Sequence, residues 1–79
     1  MSNKESVRLR KRKLATGNTS LYLDVYRNGV RQYEYLKLYL IPEKTRADKD
    51  ANRQTLQIAE AIKAKRTVEL HNNEYGFKN

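Results

Sequence analysis

The stretch LYLDVYRNGVRQYEYLKLYL, residues 21–40, decides the fold. Asn28-Gly29 divides it into two runs of alternating character. That dipeptide is the strongest short-range signal for a β-hairpin, because a type I′ turn needs positive φ at both central residues. Before the turn, Leu21, Leu23 and Val25 alternate with Tyr22, Asp24 and Tyr26. After it, Tyr33 and Tyr35 fall on one side while Leu36, Leu38 and Leu40 fall on the other. A two-residue turn pairs Arg27 with Val30, Tyr22 with Tyr35 and Leu21 with Leu36. It yields a leucine face and a tyrosine face, and leaves Glu34 on the leucine side. A three-residue turn with a bulge slips the pairing by one and sends Tyr33 and Tyr35 to the core. The first register sorts the residues better, and the second stays open.

Working outward, residues 6–14 read as a first strand. Val7 and Leu9 share one face, and Arg8, Arg10 and Arg12 the other. Ala15 to Thr19 is a turn by composition, with Gly17 and Asn18 suited to left-handed backbone. Ile41-Pro42 ends the sheet. Thr45-Arg46-Ala47-Asp48 fits a capping box opening a helix that runs to about residue 70. Ala51, Thr55, Ile58 and Ile62, with Ala59 and Leu56 beside them, form its apolar stripe. Lys49, Arg53, Glu60, Lys63 and Arg66 read as its solvent side. His71 reads as a partner for the helix C-terminal dipole. A helix of roughly 37 Å exceeds strands of ~20 Å, so residues 63–70 are expected to project past the sheet. The fold class is α+β: a three-stranded antiparallel sheet on one C-terminal helix. Residues 1–5 are expected to be disordered, residues 6–71 to form the domain, and residues 72–79 to link onward.

Seventy-nine residues support one thin core. The absence of cysteine and the single histidine exclude a disulfide framework, a thiolate metal site and any Ser or Cys triad. The three glycines are isolated turn residues, not a phosphate loop. No apolar run is long enough for a membrane span. The chain therefore reads as a non-enzyme without metal, cofactor or small-molecule ligand, working in a reducing cytoplasm.

Net charge is +8, and it is unevenly placed. From Lys4 to Lys37 nine cations face three anions; from Asp48 to Leu70 five face four. A basic surface concentrated on the sheet points to nucleic acid. Arg8, Arg10 and Arg12, with Lys11 and Lys13 between them, form the densest cluster. The three arginines lie roughly 7 Å apart on one side of a strand, near the spacing of successive phosphates. Arginine donates paired hydrogen bonds to phosphate or to guanine O6 and N7, and a β-ribbon fits the major groove. Arg27, Arg31 and Lys37 lie among the hairpin tyrosines, of which Tyr22, Tyr26 and Tyr33 are candidates for phosphate or base contact. Solubilising an edge strand is the plainer reading of the basic cluster, and cross-strand packing that of each tyrosine.

The pattern Ser20-Leu-Tyr-Leu-Asp-Val-Tyr-Arg-Asn-Gly29, with the tract from Leu38 to Pro42 and the long helix, resembles the N-terminal arm-type DNA-binding domain of tyrosine recombinases. These are phage-type integrases of bacterial conjugative transposons. The resemblance runs from about Val7 to Phe77. It implies a three-stranded sheet whose outer face enters the major groove of double-stranded DNA at arm sites. That role would fall on Arg8, Arg10, Arg12, Tyr22, Tyr26, Arg31, Tyr33 and Lys37. It also implies that catalysis belongs to the remainder of a recombinase chain, so none of these tyrosines is a nucleophile. An RNA-binding domain using the same face is the main alternative. A protein-interaction module is the third.

Overall fold

The computed structural model describes the backbone of residues 6–74 and the side chains of residues 6–71. The expected disorder of residues 1–5, and residues 75–79 of the linker expected over residues 72–79, lie outside the described residues. Strands β1 (Ser6–Lys13), β2 (Thr19–Arg27) and β3 (Val30–Leu40) form one antiparallel sheet in the order β1-β2-β3. Helix α1 (Arg46–Glu74) packs across one side, giving the expected β-β-β-α arrangement. Among the described residues no helix is long and apolar enough to cross a membrane.

The turn chemistry is local and behaves as its residues dictate. Asn28 (φ 52°) and Gly29 (φ 79°) both take left-handed backbone, and Arg27 pairs with Val30. Tyr22 accordingly faces Tyr35. Beyond that pair the expected register fails. Leu21 pairs with Leu38 rather than Leu36, because β3 carries Leu36 and Lys37 as a two-residue bulge. Lys37 meets the bulge with φ 59°, a conformation that L side chains adopt at some cost. An insertion of two leaves side-chain alternation intact. Leu36, Leu38 and Leu40 therefore stay half-buried toward the helix, while Tyr33 and Tyr35 are 56% and 48% exposed on the opposite face. The slip that would bury those tyrosines does not occur.

The core is small. Leu21 and Leu23 on the central strand and Ala59 on the helix are wholly buried, and Val7 and Leu70 nearly so. Leu9, Val25, Leu36 and Ile62 close around Val7, Leu23 and Leu70. Two expectations for the helix are corrected here. Residues 63–70 do not project past the sheet: Leu70 sits in the core and Arg66 is docked on β3. The strands, at 8 to 11 residues, are longer than the ~20 Å assumed. The inward stripe is also rotated. Ala51 and Ile58 are exposed, Ile58 by 52%, and the inward positions include Asn52, Leu56, Ala59, Ile62, Arg66 and Leu70.

Two polar contacts set that rotation. Buried Asn52 accepts from the Ile41 N–H (2.9 Å) and donates to the Ile41 carbonyl (2.8 Å) and Glu43 (3.0 Å). Its amide thus satisfies the backbone of the first residue after β3, which has no strand partner. Arg66 donates to both oxygens of Glu34 (2.8 and 2.7 Å), so the carboxylate on the leucine side is paired from the helix. Arg66 therefore does not belong to the solvent side. The capping box forms as read. Asp48 accepts from the Lys44 and Thr45 N–H groups, and Thr45 Oγ1 accepts from the Asp48 N–H. The helix then continues through Asn72 and Asn73 to Glu74.

These pairings carry a pH signature. The Arg66 hydrogen bond holds Glu34 below its ordinary value near 4.5, and the Lys44 and Thr45 N–H groups hold Asp48 below 3.8. A carboxylate with a depressed folded-state pKa stabilises fully above its ordinary value and loses that stabilisation as pH falls through the depressed one. The urea midpoint is expected to be flat from about pH 7 to 5 and to decline below about 4.5, as linkage requires. Glu34→Gln should lower the neutral plateau and flatten the decline. An unchanged slope in that variant would remove Glu34 as a cause.

Candidate nucleic-acid interface

Strand alternation assigns the sheet's two faces. Opposite the helix, β1 presents Arg8, Arg10 and Arg12, and their register partners on β2 are Asp24, Tyr22 and Ser20. From β3 the same face receives Arg31, Tyr33 and Tyr35, opposite Tyr26, Asp24 and Tyr22. Seven of the expected site residues (Arg8, Arg10, Arg12, Tyr22, Tyr26, Arg31 and Tyr33) are thus brought together. Lys37 is exposed at the bulge. The other three follow the opposite alternation. Lys11 and Lys13 are in register with Leu21 and Thr19 on the helix side. Arg27 lies with Val25, Gln32 and Leu70 around a recess at the turn end. These three cations cannot share one flat contact with the arginines.

The tyrosines form a continuous platform. Tyr22, on the central strand, stacks on Tyr35 with ring centroids 4.9 Å apart and 25° between planes. It meets Tyr33 edge-on at 5.7 Å and 81°. Such pairs hold the rings in fixed orientations. Tyr35 and Tyr39, outside the expected set, are exposed on this side. Their alternation with Tyr33 was the signal for including them. Arg12 reaches over the central strand toward the Tyr35 hydroxyl (3.5 Å), and the Arg31 guanidinium lies 5.7 Å above the Tyr26 ring.

Asp24 is the residue that strand reading passed over. It stands at the middle of the cationic face yet is only 4% exposed. The Arg10 Nε donates to its Oδ2 at 2.7 Å, and the Arg31 Nε lies 3.3 Å from Oδ1 in an ion pair without hydrogen-bond geometry. The Asp24 hydrogen bond raises the Arg10 pKa above its ordinary value, so this guanidinium is charged throughout the accessible range. Two arginines therefore flank one shielded carboxylate, with Arg8 and Arg12 further along β1 on the same exposed aromatic face. Chemically, that surface suits a polyanion: guanidiniums for phosphates or base edges, rings and hydroxyls for sugars and bases. Among the described residues no cluster of His, Cys, Asp or Glu could hold a metal ion.

Searches of curated proteins and of solved structures return no match. A family model described as an Arm DNA-binding domain matches residues 7–78, which spans all three strands and the helix. The chain belongs to the Arm DNA-binding domain family, a non-catalytic DNA-binding module.

Proposed function

We propose that the chain binds double-stranded DNA by laying the outer face of its sheet into the major groove. In this role it anchors a site-specific tyrosine recombinase on accessory arm sites. The observation that carries the groove assignment is the gathering of Arg8, Arg10, Arg12 and Arg31 with Tyr22, Tyr33 and Tyr35 on the one sheet face that the helix leaves open. A two- or three-stranded ribbon has the width to enter a groove ~12 Å across, and arginine forks match the acceptors displayed there. The recombinase context rests on the resemblance of residues 20–29 and 38–42 to integrase arm domains. Catalysis then belongs to another part of the recombinase.

Neutralising about four to six phosphates predicts a log–log slope of affinity against salt near −4 to −5. A random-sequence duplex titrated between low and physiological salt measures it, with a structured RNA of equal charge as competitor. Amide shifts on the same duplex should fall on β1, β2 and β3. A slope near zero, preference for the RNA, or shifts confined to residues 51–70 would each overturn this reading.

A further inference from the structure

A carboxylate stands in the centre of the face proposed above to meet phosphates. An exposed acid there would repel DNA. Asp24 is instead buried beneath the two guanidiniums that it engages. Arg10 comes from β1 opposite Tyr22, and Arg31 from β3 opposite Tyr26. Each is thus displaced by two residues from Asp24, in opposite directions and from opposite edges. Both approach the carboxylate through Nε. Both side chains remain largely open, at 45% and 55% exposure.

From this geometry, and resting on the outer-face reading above, we propose that Asp24 is a positioning residue for sequence readout. It fixes Arg10 and Arg31 as a diagonal pair of outward-pointing forks. A guanidinium whose Nε is occupied still offers its two Nη groups, the pair that a guanine edge accepts through O6 and N7. The Tyr26 ring beneath Arg31 adds a second constraint on the plane of that fork. Holding two flexible side chains in place before contact removes ordering cost from binding. The gain appears only where base acceptors match the forks. Phosphate contacts tolerate many geometries and gain little. Asp24 thus exchanges some general attraction for discrimination.

The test uses two probes: a duplex enriched by the wild-type protein from a random-sequence pool, and a shuffled duplex of equal length and composition. Asp24→Asn should reduce the preference for the enriched duplex by roughly tenfold or more, the scale of a lost bidentate base contact. Affinity for the shuffled duplex should hold or rise, since an anion has been removed. Arg10→Lys keeps the charge and loses the fork. It should show the same loss of preference even if Asp24→Asn lowers the melting temperature. Equal tightening on both duplexes by Asp24→Asn would make Asp24 a plain counter-charge. Equal weakening on both, with a lower melting temperature, would make it structural. Either result overturns the positioning role while leaving the outer face as the binding surface. Failure of the wild type to enrich any sequence, or unchanged binding by both Arg8→Ala and Tyr33→Ala, removes the outer-face reading and this inference with it.

Discussion

Leu23→Ala is expected to cost the protein half or more of its folding stability. Leu23 is wholly buried on the central strand, and with Val7 and Leu70 it joins β1, β2 and α1. Cutting a leucine to alanine in such a site costs about 2–5 kcal/mol, from lost transfer energy plus the cavity left behind. Marginal stability scales at roughly 0.05–0.15 kcal/mol per residue. A domain of 79 residues therefore has about 4–12 kcal/mol in total. The thin core argues for the lower part of that range. The substitution removes half or more of what is available. Urea unfolding followed by circular dichroism measures it, with Leu23→Met as a control expected to lose under about 1.5 kcal/mol. Ile58→Ala, on the exposed side of the helix, should stay within about 0.5 kcal/mol of wild type. A Leu23→Ala loss as small as that would mean the core is not closed around this residue.

The second large effect concerns binding. Replacing Arg8, Arg10 and Arg12 together by alanine removes three cations from one row of the outer face. If each neutralises a phosphate, the salt slope should become shallower by about 2.7, from a factor of ~0.9 per contact. At physiological salt each contact supplies roughly fivefold in affinity by the same relation, so the triple variant should bind about a hundredfold more weakly. Losing Arg8 and Arg12, which are exposed, should cost little stability. Losing Arg10 leaves the buried Asp24 carboxylate with Arg31 and should lower the melting temperature, so binding is measured well below it. Lys11 and Lys13 offer the internal comparison, since they alternate to the helix side. Their double alanine variant should leave most of the slope in place. Similar losses in both variants would point to a diffuse electrostatic field rather than a defined reading face.

What the sequence made legible was whatever its residues decide locally. Asn28-Gly29 specifies its own turn, and Thr45 with Asp48 closes its own cap. The sheet faces follow from strict alternation. The bulge at Leu36-Lys37 was invisible because alternation runs unbroken through an insertion of two. Arg66 was misread, and Asn52 passed over, because a polar residue on a helix normally faces water. Their partners, Ile41 and Glu34, lie 11 and 32 residues away. A signal for Arg66 did exist: a glutamate on the leucine side demands a cation from some other element. Asp24 had the same kind of signal, since it stands on the outward alternation with Arg10 and Arg31 on the flanking strands. Reading it required the register of both pairs.

The two extra residues in β3 also act as slack. At one end the strand is pinned by the Asn28-Gly29 turn, which sets where Tyr33 and Tyr35 stand; at the other it is pinned by Asn52 gripping Ile41. Those anchors belong to different parts of the molecule, and nothing requires the lengths between them to match. Leu36 and Lys37 absorb the difference in a step that preserves sidedness. Because Arg66 holds Glu34 between Tyr33 and Tyr35 while Asn52 holds Ile41, the helix is fixed to the strand on both sides of that step. The slack lets both grips close at once.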